Sequence, residues 1–209
     1  MSAQRASRQT IPAEAIDALR GSDPILRAII DRVGPFDPSF EPDLWWSLVD
    51  AIASQQLSIK AAATIVGRVE CLAPNGRRPT PAEILATPDD TLRACGLSRA
   101  KTAYVKDLAA KWLDGTLEAD NLDAMADEEV IEQLVRVKGI GRWTAEMVLM
   151  FTLGRPDVLP VDDLGLRVAV QEAYELPDRP GRAELERLGE PWRPWRSVAS
   201  FYLWRSRRV

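Results

Sequence analysis

Two adjacent aspartates, Asp162 and Asp163, are the residues of this chain whose type and position most directly suggest chemistry. They follow the apolar segment Val-Leu-Pro-Val and directly precede an apolar helical stretch that begins near Leu164. The chain has no histidine and only two cysteines. This excludes most zinc sites, four-cysteine iron–sulfur clusters and histidine-based triads. Acid–base chemistry would therefore fall to carboxylates, lysine or tyrosine, although either aspartate could instead cap the following helix.

A Gly-x-Gly turn in the segment KGIGRWTAEM is the second candidate. Gly139 and Gly141 can adopt positive φ or allow another backbone to approach closely, and helix-favouring residues follow from Arg142. Amides in such a turn point outward beside a helix N-terminus, which suits a phosphate group and needs no particular side chain. The turn therefore predicts a grip on a nucleic-acid backbone without sequence readout, or else a glycine-rich connection that binds no ligand.

The elements that must position these residues are helical nearly throughout. N-cap residues followed by proline recur, as in Thr10-Ile-Pro, Ser22-Asp-Pro and the capping box Thr80-Pro-Ala-Glu. Short loops join the helical segments, and no alternating apolar run bounded by hairpin turns predicts a strand. We predict an all-α fold with about ten helices.

Composition and charge are those of a globular protein, with 46% hydrophobic residues and a net charge of −4 over 209 residues. No apolar run is long enough to cross a bilayer, and the N-terminus lacks the apolar core of a signal peptide, so we expect a cytoplasmic protein without a membrane partner. Eight acids and no Lys or Arg lie between Trp112 and Val135, whereas five arginines and no acid lie between Trp192 and Val209. A surface polarised in this way can bind a polyanion despite the negative total.

Four blocks of sequence, in order, resemble the helix-hairpin-helix (HhH-GPD) superfamily of DNA glycosylases. VKGIGRWTA and LPVDD match the hairpin and the catalytic segment, while ASQQLSIKAA and WRPWRSVASFYLW are similar to the 3-methyladenine DNA glycosylase II (AlkA-type) branch. The resemblance covers about residue 43 to the C-terminus. It implies two helical lobes with a cleft between them, without the N-terminal β domain of some larger relatives.

The resemblance also implies how the chain is divided and what it does. Residues 1–9 would be a flexible N-terminus, residues 10–42 plus 160–209 a terminal lobe, and residues 43–159 a lobe containing the helix-hairpin-helix at about 130–153. The implied activity is that of a monofunctional DNA N-glycosylase, which flips and excises bases of the 3-methyladenine and 7-methylguanine class in base excision repair and leaves an abasic site. The implied partner is damaged double-stranded DNA, bound by a monomer that is nucleoid-associated when on DNA and requires no cofactor.

Site residues follow from the matched motifs. Asp163 matches the carboxylate that stabilises oxocarbenium character on the sugar, with Asp162 as the runner-up. Trp143 and Trp204 match tryptophans of the base pocket, whose faces attract cationic alkylated purines, and Met147 stands where some relatives have a tyrosine. The other tryptophans are expected in the core. Because bifunctional members have a lysine at the position of Trp143, the resemblance implies water as the nucleophile and no lyase activity.

The remaining expectations concern DNA. Gln56 matches the wedge that fills the space left by a flipped base, and Ser58 can cap the helix after it. The residues expected to bind phosphate are Lys138, Gly139, Gly141 and Thr144. The resemblance also implies an optional structural Na⁺ or K⁺, held by backbone carbonyls of Val135, Val137 and Ile140.

Two alternatives stay open on the sequence. A non-catalytic helix-hairpin-helix DNA-binding protein would keep the glycines and basic residues without needing the aspartate or the tryptophan pocket. A glycosylase for other damaged bases would share the fold, although the absence of cluster cysteines argues against its iron–sulfur form.

Overall fold

The computed structural model describes residues 10–208, and the predicted flexible segment 1–9 lies outside them. Over the described range the chain forms twelve α-helices and no strand, so the predicted all-α class is confirmed. The helices are α1 (Ala13–Ser22), α2 (Pro24–Val33), α3 (Leu44–Ser54), α4 (Ile59–Glu70), α5 (Pro81–Ala86), α6 (Asp89–Ala94), α7 (Arg99–Leu113), α8 (Asp127–Leu134), α9 (Arg142–Phe151), α10 (Leu164–Ala173), α11 (Arg182–Gly189) and α12 (Arg196–Ser206). Short 3₁₀ segments lie at Pro74–Gly76, Leu122–Ala124 and Glu190–Trp192. No helix of the described part is long and apolar enough to span a membrane.

Tertiary contacts divide the chain into two compact units. Of the described residues, 10–42 and 149–208 form the terminal unit, and Asp43–Val148 form the central unit. The division falls within α9, whereas the sequence-based prediction divided the chain between residues 159 and 160. Phe151, at the end of α9, belongs to the terminal unit because its ring packs against Phe201 of α12. The predicted cleft between lobes stays a prediction.

The core of the terminal unit is built around a buried aspartate. Asp23 caps α2 by accepting from the amides of Ile25 (2.8 Å) and Leu26 (3.1 Å). Its second oxygen accepts from the indole of Trp192 at 3.0 Å and from the hydroxyl of Tyr174. Burial, together with this carboxylate, raises the pKa of Tyr174. Asp23 is only 7% exposed, and its carboxylate accepts hydrogen bonds from all of these donors. Such hydrogen bonds offset the cost of burying a charge.

The central unit is organised around α7, its longest helix, which packs against α3, α5 and α6. Trp45 and Trp46 of α3 are buried, and Trp45 donates its indole N–H to the Pro79 carbonyl at 2.8 Å. Its ring meets Trp112 of α7 edge-on, with 5.4 Å between ring centroids. The core assignment of Trp45 and Trp46 is therefore confirmed.

Candidate functional site

Asp163 is the N-cap of α10, and one of its oxygens has two donors. Oδ1 accepts from the Leu166 amide at 2.6 Å and from the indole Nε1 of Trp204 at 2.8 Å. Capping, which the sequence offered as the alternative to a chemical role for either aspartate, therefore falls to Asp163, and the same carboxylate also lies beside a predicted pocket tryptophan. Two donors from different helices fix the orientation of the carboxylate before any ligand binds.

A glycine makes this arrangement possible. A Cβ atom on Gly165 would lie 3.2 Å from Asp163 Oδ1 and 3.5 Å from the indole of Trp204, so a side chain there would crowd the hydrogen bond. Gly165 was not among the residues predicted from the sequence to form the site. The available signal was a glycine in the first turn of a helix, where it lowers helix propensity and needs a packing reason.

Asp162 has a different environment. Its Oδ2 pairs with Arg182 on the surface, and its side chain is 38% exposed. The two neighbouring aspartates therefore have different structural roles. Asp162 forms a surface ion pair, and Asp163 accepts a hydrogen bond from Trp204.

Phe151 is an aromatic residue of this region that the sequence analysis missed. Its ring stacks on Trp204 with centroids 6.0 Å apart and an interplanar angle of 21°. Phe151 also follows Trp143 and Met147 at intervals of four residues, so the three side chains lie along one face of α9. Trp143 is 46% exposed, and Met147 is partly buried. The i, i+4, i+8 spacing was the signal that could have identified Phe151.

The hairpin turn, residues 135–141, joins α8 to α9. Gly139 has φ +84°, and a Cβ atom on it would lie 2.2 Å from the ring of Tyr104, so only glycine fits. Gly141 differs from the expectation, because it lacks a positive φ and a Cβ atom there would meet nothing within 4 Å. Its carbonyl accepts from the Ala145 amide at 3.1 Å, which puts it at the start of α9, where the lack of a side chain leaves the first amides accessible.

Lys138 and Thr144 differ in exposure. The Lys138 side chain is 71% exposed, and its ammonium lies 3.6 Å from Asp107 Oδ1. The Lys138 amide donates to Asp107 Oδ2 at 2.9 Å, so this amide is already engaged. Thr144 is only 6% exposed, so its predicted phosphate contact stays a prediction.

The carboxylate of Asp107, on α7, contacts the hairpin turn through the ammonium and the backbone amide of Lys138. Partial burial raises the pKa of its carboxyl, but hydrogen bonds from the Lys111 ammonium and the Lys138 amide outweigh burial and hold the pKa below its ordinary value. The Lys111 ammonium lies 2.6 Å from this carboxylate.

The three carbonyls predicted to hold a monovalent cation lie in the hairpin turn. Val137 and Ile140 are buried and Val135 is 42% exposed. The Val137 carbonyl accepts from the Ile140 amide at 3.1 Å, and its second lone pair suits a hard cation. Among the described residues no group of His, Cys, Asp or Glu could hold a metal ion.

Gln56, the predicted wedge, is exposed and has φ +57°. A positive φ of this size belongs to the left-handed region of backbone conformation, where a residue other than glycine is strained. Such strain concentrates at functional sites. The next apolar side chains, Leu57 and Ile59, are 39% and 86% exposed. Ser58 accepts from the Ala61 amide at 3.4 Å, which confirms it as the cap of α4.

The C-terminal arginines that cluster in the sequence are mostly engaged by other groups of the protein. Four of them make internal contacts: Arg193 and Arg196 with Asp157, Arg205 over the ring of Phe36, and Arg207 with Glu172. Aspartate and glutamate from distant positions in sequence thus neutralise charge that looked unopposed along the chain.

Comparison with known proteins defines the class. The sequence model of the HhH-GPD superfamily of base excision DNA repair proteins matches residues 49–194, and the chain belongs to this family. DNA-3-methyladenine glycosylase 1 of Schizosaccharomyces pombe is 35% identical over 195 residues, which are 91% of this chain and 86% of that protein.

Solved structures agree. The S. pombe 3-methyladenine DNA glycosylase (Mag1) in complex with abasic DNA matches with a TM-score of 0.86 and 36% identity, over 94% of this chain and 98% of that one. A DNA-3-methyladenine glycosidase from Bacillus halodurans matches with a TM-score of 0.83 and 36% identity, over 93% and 89% of the two chains.

Proposed function

We propose that this chain is a DNA-3-methyladenine glycosylase, a monofunctional N-glycosylase that removes alkylated bases from DNA in base excision repair. The observation that carries the proposal is the Asp163 carboxylate, which accepts a hydrogen bond from Trp204, whose ring in turn stacks on Phe151. The similarity to 3-methyladenine DNA glycosylases over most of the chain supports the same activity.

The proposed reaction breaks the bond between the alkylated base and C1′ of its deoxyribose. Methylation at N3 of adenine or N7 of guanine makes the base cationic, so it leaves as a neutral molecule and takes the bonding electrons with it. The sugar becomes oxocarbenium-like, and the Asp163 carboxylate stabilises that charge. Water then adds at C1′ and loses a proton, which leaves free base and an abasic site.

Base selection is proposed to come from aromatic faces. An indole face attracts a cation more strongly than any other side-chain ring, and Trp204 is held by its hydrogen bond to Asp163. Trp143 and Met147 are the other proposed contacts with the flipped base. Because the residue at 143 is tryptophan, no amine is available there to form a Schiff base, and strand cleavage is not expected.

Damaged double-stranded DNA is the proposed partner. The amides at the start of α9, with Gly139, Gly141 and the Lys138 ammonium, would bind one phosphate, and Gln56 would fill the space left by the flipped base. The protein would act as a monomer in the cytoplasm, associated with the nucleoid, and need no cofactor. A Na⁺ or K⁺ at the carbonyls of the hairpin turn would add to the positive potential facing the phosphate.

The experiment that tests the proposal is base release from a methylated duplex, with the free bases identified by mass spectrometry. We expect 3-methyladenine, with 7-methylguanine as the second product, and strands that break only after alkali treatment. Strand breaks without alkali would contradict the monofunctional mechanism. Binding without release of any base would favour a non-catalytic DNA-binding protein.

A further inference from the structure

Lys101 lies in the first turn of α7, which is an unfavourable place for a positive charge because the N-terminal end of a helix dipole is itself positive. Its ammonium points toward the end of α3, where Nζ donates to the carbonyls of Ala53 (2.8 Å) and Gln55 (2.6 Å). The last carbonyls of a helix lack donors within the helix, and a cation suits the negative end of its dipole. Partial burial lowers the pKa of Lys101, so the ammonium gives up solvation to make these two bonds.

The backbone that Lys101 holds leads directly into the wedge loop, residues 55–58. Gln55 ends α3, and Gln56 follows with its positive φ. A strained conformation persists only where the surroundings over-determine it. The Lys101 ammonium supplies one such restraint at the residue immediately before the strained one.

The Gln55 side chain supplies a second restraint and extends it to the hairpin turn. Its Nε2 donates to the Gly139 carbonyl at 2.7 Å, and the other face of Gly139 lies against Tyr104. Lys101, Tyr104 and Asp107 are spaced by three residues on α7, so neighbouring positions of one helix face contact the wedge loop, Gly139 and Lys138.

We propose that Lys101 and Gln55 are positioning residues, which lock the wedge loop to the hairpin turn so that Gln56 is presented at a fixed place relative to the phosphate-binding amides. The inference rests on the proposed function in one respect: it takes the ligand of the wedge loop to be DNA with a gap in the base stack. A wedge loop ordered in advance has less conformational entropy to lose on binding. Without the two restraints, that loss reduces affinity for the gap and leaves contacts with intact backbone unchanged.

The test compares binding to two duplexes of the same sequence, one intact and one with a tetrahydrofuran abasic-site analogue. The variants are Lys101→Met and Gln55→Met, which remove the donors and keep side-chain bulk. Lys106→Met is the matched control, because Lys106 is on the same helix, is 25% exposed, and pairs its ammonium with Asp89 rather than the wedge loop. We expect Lys101→Met to lower the preference for the gapped duplex about tenfold, Gln55→Met to lower it less, and Lys106→Met to leave it unchanged.

A double-mutant cycle with Gln56→Ala separates positioning from general stability. If Lys101 acts through Gln56, Lys101→Met has little further effect once the wedge side chain is gone. Full additivity, or an equal loss in Lys106→Met, overturns the inference. If Lys101→Met does not fold, the same cycle with Gln55→Met, which changes a side chain outside the core, decides it.

This binding test needs no catalysis. Absence of base release by the unaltered protein would remove the proposed function, while a preference for the gapped duplex that depends on Lys101 and Gln55 would still support the positioning role.

Discussion

Replacing Asp163 with asparagine should abolish base release while leaving the fold almost unchanged. Asparagine is as good an N-cap as aspartate, and its Oδ1 can accept from the same Leu166 amide and Trp204 indole. The two hydrogen bonds become neutral ones, which are about half as strong. We expect a loss of unfolding free energy of about 1 kcal/mol, consistent with the measured range for single hydrogen bonds.

The effect on catalysis should be much larger, because the negative charge itself is lost. A carboxylate about 4 Å from a developing positive charge contributes about 4 kcal/mol at an effective dielectric constant near 20. At about 1.4 kcal/mol per factor of ten, this corresponds to a roughly thousandfold lower rate. The substitution therefore separates two roles of Asp163, because asparagine keeps the helix-capping hydrogen bond and removes the negative charge.

The assay is single-turnover release of 3-methyladenine from duplex DNA, with thermal unfolding measured on the same samples. Asp162→Asn is the matched control, because it removes a neighbouring carboxylate that pairs with Arg182 at the surface. Exposed ion pairs contribute about 0–1 kcal/mol to stability, and we expect its rate to stay within about twofold of the unaltered protein. Retention of a tenth or more of the rate by Asp163→Asn would refute the assignment, and so would an equal loss in Asp162→Asn.

Four further substitutions probe the surroundings. Gly139→Ala should destabilise the central unit by about 2 kcal/mol or more and weaken DNA binding, because its Cβ atom would lie 2.2 Å from the Tyr104 ring. Gly141→Ala, with open space at the same point, should be nearly neutral in urea unfolding. Trp204→Phe keeps a ring but removes the donor to the Asp163 carboxylate, which is the proposed catalytic group, and should slow base release about tenfold or more at nearly unchanged DNA affinity. The folded-state pKa of Asp107 lies below its ordinary value, so its contribution to the free energy of unfolding is complete above about pH 4 and is lost as pH falls through that lowered pKa. Asp107→Asn should therefore flatten the dependence of stability on pH in this acidic range. An unchanged slope in the variant would show that Asp107 is not the source of that dependence.

The sequence predicted the local features of the fold well, because they depend on neighbouring residues. Ser58 caps its helix, Thr80 forms a capping box with Glu83, and Gly139 has a positive φ. Each of these follows from residue chemistry within a few positions along the chain.

The contacts that orient the candidate site could not be predicted in this way. The hydrogen bond from Trp204 to Asp163 joins residues 41 positions apart, and that from Gln55 to Gly139 joins residues 84 positions apart. Lys101 resembled an ordinary charged residue of a surface helix, and its role depends on where the end of α3 lies in space. Pairings of this kind are set by tertiary packing, which propensity and periodicity do not encode.

Asp107 gives the hairpin turn a counterion of its own. Before DNA arrives, this carboxylate already neutralises part of the positive potential around Lys138, with 3.6 Å between the charged groups. If Lys138 binds a DNA phosphate as proposed, the phosphate shares that lysine with a resident anion, so we expect fewer solution ions to be released on binding and a shallow dependence of affinity on salt. For a protein whose net charge is −4, we expect weak binding to intact backbone, which would shorten each encounter with undamaged DNA.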